Sequence, residues 1–280
     1  MSRNKSIFPI LISAAIIATF LILKASGDTG SGNEKLVKVE NTSRDESATK
    51  LELPKKRNKD IIVTHIGYTL SYNPDYVLAN WVAYELVDRE LEGDSQRQRN
   101  FQPDPSAVLK KYRLATHQDY TRSGWVRGHL APAADMKWNQ KACDESFYTS
   151  NIAPMKAELN NGIWKRVEEK VRKWAQKYER VWVITGPVIG LNKDGRIGEN
   201  HIVVPDAFFK AVLVPYNGSY LTIGFLMENK GAEKGSRMRD FALPVTELEE
   251  VTGIEMFYQL NRETAHRIKK GLPLKELELY

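Results

Sequence analysis

Leu159, Ile163, Val167, Val171 and Trp174 recur at intervals of four and three, the apolar stripe of an amphipathic helix that runs on to Lys177. Elsewhere the pattern changes. Residues 61–73 (IIVTHIGYTLSYN) and Trp81–Leu86 are rich in β-branched and aromatic side chains, which predicts strands. Val181–Thr185 is a continuous apolar run closed by Gly186-Pro187, and predicts a buried strand that stops there. His201–Val204, Phe208–Val214 and Tyr220–Leu226 predict three more. Residues 100–119, with Pro103 and Pro105, read as loop and short helix, and Pro244–Glu250 opens another short helix with its acidic residues in the first turns. Strands with short hairpin-like connections, mixed with separate helices, predict an α+β domain rather than a doubly wound sheet.

The N-terminus departs from this pattern. Ile7–Leu23 is seventeen residues without a charge, preceded by Arg3 and Lys5. That is longer than a usual signal-peptide core and at the short edge of a membrane span. Ala25, Ser26 and Gly27 leave cleavage open, and the absence of a following cysteine excludes a lipoprotein anchor. The basic residues precede the run, so the positive-inside rule sends the remainder across the membrane. The expectation is an exported protein: membrane-anchored with its folded part outside the cytoplasm, or secreted or periplasmic if the segment is removed. Residues 26–60 are polar and read as a flexible linker. The division is therefore 1–25 signal or anchor, 26–60 linker and 61–280 folded domain.

Hydrophobic residues make up 42% of the 280 and charged residues 27%, so the bulk is globular. Forty-one basic against thirty-five acidic residues give a net charge of +6, which suits a polyanionic partner and suits a basic soluble protein equally. Cys143 is the only cysteine, which excludes an intrachain disulfide and argues against a zinc site.

Candidate chemistry lies between Tyr120 and Arg172. His129 follows Arg127-Gly128, where glycine permits a close backbone approach and arginine offers a forked donor for phosphate. At about 100° per residue, Glu168 and Arg172 share a flank of the predicted helix, with Asn160 two turns below Glu168. An imidazole, a neutral oxygen ligand, a carboxylate and a guanidinium are the groups needed to hydrolyse a phosphodiester around one hard metal ion. The residues alone leave plainer readings open. Glu168 and Arg172 suit an ordinary surface pair, Asn160 a helix cap, and His129 a buried, hydrogen-bonded core position.

Read together, Arg127–Asp135 (RGHLAPAAD), Phe147–Pro154 (FYTSNIAP), Leu159-Asn160 and Trp164 resemble the DNA/RNA non-specific endonuclease family, which includes Serratia-type nucleases and endonuclease G. Trp81–Tyr84, Thr185-Gly186-Pro187 and Val204–Lys210 extend the resemblance over roughly His65 to Leu260. It implies a central, largely antiparallel sheet flanked by helices, with a ββα-metal motif. It also implies cleavage of DNA and RNA with little sequence preference, giving 5′-phosphate ends. His129 would be the general base and Asn160 the direct protein ligand of Mg²⁺, with Mn²⁺ as an alternative. Glu168 would hold a metal-bound water, Arg97 would stabilise the transition state, and Arg127 and Arg172 would hold phosphate or orient Glu168. Asn151 would brace the hairpin. The family's aspartate before Arg-Gly-His is replaced by Val126, which keeps a non-cleaving, membrane-tethered nucleic-acid-binding relative in view. A small-nucleotide phosphodiesterase would need a closed pocket instead of an open basic groove. Monomer and homodimer are both compatible with the sequence.

Overall fold

The computed structural model describes residues 50–97, 100–190 and 195–280. Its frame is a seven-stranded antiparallel sheet built from β1 (Ile61–Thr64), β2 (Thr69–Asn73), β3 (Leu78–Val87), β6 (Arg180–Val188), β9 (Ala207–Tyr216), β10 (Ser219–Glu228) and β11 (Ala242–Leu243), in that order across the sheet. Two small antiparallel pairs stand apart from it: β4 (Val126–His129) with β5 (Ile152–Met155), and β7 (Arg196–Ile197) with β8 (Ile202–Val203). The α+β expectation and its antiparallel sheet are met.

Strand alternation divides the sheet into two buried faces. Val82, Tyr84 and Leu86 on β3, Val181 and Val183 on β6, and Phe208, Val212 and Val214 on β9 face one core. The intervening Trp81, Ala83, Trp182, Ile184, Phe209, Ala211 and Leu213 face the other. The first core is covered by α1 (Gln140–Glu145), which buries Ala142 and Cys143, by α3 (Lys165–Tyr178), which buries Val167, Val171 and Trp174, and by the β4–β5 hairpin. The second is covered by α4 (Val245–Thr252) and α5 (Arg262–Lys269), through Leu248, Val251 and Ile268. Two helical layers therefore sandwich a sheet that is apolar on both sides.

Three sequence-based boundaries move. Residues 61–73 fold as a hairpin, β1 to β2, with His65 N–H donating to the Tyr68 carbonyl across the turn. The β6 strand does not stop at Gly186-Pro187 but continues to Val188 along β9. Pro187 lies past the last β3 pair, Val82↔Thr185, so its missing N–H breaks no bond on that side. The single predicted helix is divided as well. A short α2 (Ala157–Leu159) leads into a widened π-type turn at Asn160–Trp164, with Gly162 outside helical geometry, before α3 begins.

Packing is already under way before β1, since Leu51 is buried in the second core and Lys55 N–H donates to the Glu255 carbonyl. The apolar run Ile7–Leu23, expected as a signal or anchor, lies outside the described residues. Among the described residues, no helix is long and apolar enough to cross a membrane.

Candidate active site

The β4–β5 hairpin and the helix that follows it form a ββα unit against the first core. Pairing runs Val126↔Met155, Arg127↔Pro154, Gly128↔Ala153 and His129↔Ile152, and two residues after Met155 the chain enters α2. Gly128 is needed at this pairing because a Cβ there would stand 2.8 Å from the Met155 Cβ. Asn151 braces the end of the hairpin, accepting from Ala131 N–H at 2.9 Å and donating to the Ala131 and Ser146 carbonyls. It is occupied as a structural clamp.

His129 is buried at the end of β4, with Phe147 set edge-on at 4.9 Å and Phe101 at 5.5 Å between ring centroids. Its Nε2 has no hydrogen-bond partner. Burial, with the positive charge of Arg97 adding to it, pulls the imidazole down to about 3, so the ring is neutral at physiological pH. Arg97 lies 5.5 Å from the Phe147 ring, on the side where its field reaches His129. Arg127 is held between the rings of Phe101 and Tyr120, at 5.4 and 5.7 Å, and donates to the His117 carbonyl at 3.1 Å. Its buried Nε remains unpartnered. Two orphaned polar atoms thus flank one aromatic ring, Phe101. Val126 packs half-buried against the core, and the His117 carbonyl and two aromatic rings hold Arg127 beside it.

Asn160 is half-buried in the π-type turn, and its amide donates only to its neighbour Asn161, at 3.3 Å. No hydrogen bond joins it to His129. Among the described residues no group of three or more His, Cys, Asp or Glu could hold a metal ion. A hard cation held by a single amide oxygen and otherwise by water requires no such cluster, so Asn160 fits that donor set.

The helix pair read from the sequence is re-partnered. Arg172 donates to Asp135 Oδ1 at 2.8 Å, and the buried Asp135 also accepts from the Tyr84 hydroxyl at 2.8 Å. Glu168 faces Lys210 of β9 instead. Burial raises the Glu168 carboxyl above its usual range, and Lys210 opposes that rise. Lys210 is completely buried, with its Nζ 3.4 Å from the Leu130 carbonyl and 4.6 Å from the centre of the Trp164 ring. Burial lowers its pKa, while Glu168 and Asp135 raise it. Lys210, Asp135 and Tyr84 had no role assigned from sequence. The available signal was a lysine within the apolar run Phe208–Val214, on the alternation that turns it inward.

The family model for DNA/RNA non-specific endonucleases matches residues 48–263. The chain belongs to that family. It is 35% identical over 199 residues to human mitochondrial endonuclease G, a match covering 67% of this chain and 66% of the relative. With the mitochondrial nuclease EXOG of Xenopus laevis it shares 34% over 212 residues, covering 71% of this chain and 59% of the relative. The match thus spans about three-fifths to two-thirds of these relatives' own length. Among solved structures, a chain from the EndoG/EndoGI complex, described as showing the mechanism of EndoG inhibition, superposes with a TM-score of 0.68. The two share 27% identity, and the superposition covers 81% of this chain and 96% of that one.

These relatives correct the localisation read from the N-terminus. They are mitochondrial nucleases, which runs against the exported, membrane-anchored, secreted or periplasmic expectation and the signal-peptide and transmembrane assignments made with it; the segment Ile7–Leu23 itself lies outside the described residues. Hydropathy registers an apolar segment beside basic residues, and that property alone does not name a compartment.

Proposed function

We propose that this endonuclease-family protein hydrolyses phosphodiester bonds of DNA and RNA in a metal-dependent reaction, with little sequence preference and 5′-phosphate products. The observation that carries the reading is His129: buried, neutral and unpartnered at Nε2, between Arg97 and Arg127 on the hairpin that leads into Asn160. A neutral imidazole with a free nitrogen can take a proton from an attacking water. Arg127, with a free Nε, binds a phosphate oxygen, and Arg97 opposes the negative charge that grows at phosphorus. Mg²⁺, or Mn²⁺ in its place, would be held by the Asn160 side-chain oxygen and would supply charge neutralisation at the phosphate. Glu168, as a carboxylate, orders water beside the leaving 3′ oxygen and so directs a proton to it. Arg172 keeps Asp135 paired and the helix carrying Glu168 in register. Contacts of this kind address the backbone and carry no base information, which supports low sequence preference.

The test is digestion of plasmid DNA and of RNA by the purified full chain, with Mg²⁺ or with chelator. Both substrates are cut with Mg²⁺ and neither with chelator, and His129→Ala lowers the rate roughly 10²–10⁴-fold, the usual worth of a positioned base. Added salt lowers the rate smoothly as phosphate contacts are screened. Undiminished cleavage by His129→Ala removes the proposed base. Cleavage confined to small nucleotides replaces the endonuclease reading with a phosphodiesterase.

A further inference from the structure

Along β9, Phe208, Lys210, Val212 and Val214 point into the core beneath the ββα unit, and three of the four are apolar. The fourth places an ammonium group where alternation calls for another Val or Phe. Lys210 is fully buried and, among the described residues, has no carboxylate within salt-bridge distance. A desolvated cation is retained at such a position only if its surroundings answer its charge. Three surroundings do so here. The Leu130 carbonyl accepts from Nζ at 3.4 Å, and the face of Trp164 lies 4.6 Å away. The negative fields of Glu168 and Asp135 favour the charged form, against burial and the Arg172 guanidinium.

These partners belong to the two halves of the candidate site. Leu130 is the residue after His129, whereas Trp164 closes the π-type turn that begins at Asn160 and lies one helical turn before Glu168. The ammonium therefore touches the chain leaving β4 and the helix entering α3 from the sheet beneath them. We propose that Lys210 is a positioning residue, which fixes the His129 strand against the Glu168 helix and sets the charge that Glu168 feels. The inference rests on the hydrolase reading above. Lys210 acts through Leu130 and Glu168 and touches no substrate.

Lys210→Met keeps the volume and removes the charge, and Lys210→Gln keeps a donor for the Leu130 carbonyl without the charge. Each is compared with the wild-type full chain for kcat, KM and the pH dependence of plasmid cleavage in Mg²⁺, alone and in a Glu168→Gln background. The groups facing Lys210 are Glu168 and Arg172 from the helix, Asp135 from the turn after β4, and Tyr84 through Asp135 from β3. Loss of the cation makes the Glu168 carboxylate harder to form, so the acidic limb of activity moves to higher pH. The expected result is a kcat lower by roughly 10–100-fold, the scale for residues that orient a reacting group, with KM little changed. In the Glu168→Gln background the limb shift disappears. Lys210→Arg, which keeps the charge, retains the wild-type limb. If Lys210→Met does not fold, Lys210→Gln and Lys210→Arg decide the matter by the same readings. A folded Lys210→Gln with wild-type kcat and pH limb overturns the proposal, as does a loss that is the same size with and without Glu168. Either result leaves the hydrolase reading standing, because that reading is tested separately by His129→Ala, by chelator and by the size of the substrates cut.

Discussion

Arg172 donates to Asp135 at 2.8 Å across 37 residues of sequence, whereas Glu168, one turn away on the same helix, faces Lys210. What reads along the helix as a surface pair is in space a link between α3 and the turn after β4. Asp135 has no solvent exposure at its side chain, so its charge depends on Arg172 and the Tyr84 hydroxyl.

Removing that charge while leaving its partners buried should be costly. Asp135→Asn is expected to lower stability by roughly 3 kcal/mol, the scale for breaking a buried ion pair. Tyr84→Phe removes one hydrogen bond and should cost only about 1 kcal/mol. Urea unfolding of the two variants measures the difference, and equal losses would argue against Asp135 as the hub.

The Gly128 contact leads to a second expectation. An alanine there places its Cβ 2.8 Å from the Met155 Cβ, an atom that rotamer change cannot move. Gly128→Ala should cost about 1–3 kcal/mol through overpacking and should also reduce activity by displacing His129. Met155→Ala should rescue it only in part, because its Cβ remains. Thermal unfolding and plasmid cleavage on the single and double variants test this.

Asn151 and Asn160 separate bracing from ligation. Asn151→Ala loses three hydrogen bonds, so it should lower Tm without changing the Mg²⁺ concentration for half-maximal activity. Asn160→Ala should leave Tm close to wild type, since its amide donates only to Asn161, and raise that Mg²⁺ requirement. Metal titrations of both variants decide; a changed requirement in Asn151→Ala would contradict its purely structural place.

Acid stability follows from His129. Its folded pKa, about 3, lies below the value near 6.5 of an unfolded histidine, so below about pH 6.5 the unfolded chain binds the extra proton. The stability present at neutral pH is therefore lost as pH falls from about 6.5 to about 3, at about 1.4 kcal/mol per pH unit from this group. His129→Leu removes the titrating group and should flatten that slope. Unfolding free energies at pH 7, 6, 5 and 4 would show it, and a slope unchanged in His129→Leu would place the proton elsewhere.

Much of the fold was legible along the chain. The β-branched and aromatic runs at Trp81–Leu86 and Phe208–Val214, and the three-and-four spacing from Leu159 to Trp174, define elements locally, because side-chain shape and apolar spacing act over a few neighbouring residues. The bracing by Asn151 was readable only through the family resemblance, and Gly128 signalled a close backbone approach without showing that Met155 is what it meets. Which side chains meet was not legible. That Arg172 answers Asp135, that Lys210 lies beneath Glu168 and Leu130, and that Pro187 can sit inside β6 depend on sheet order and strand register. Those are set by how separated segments share one core, and a linear pattern contains no distance between them.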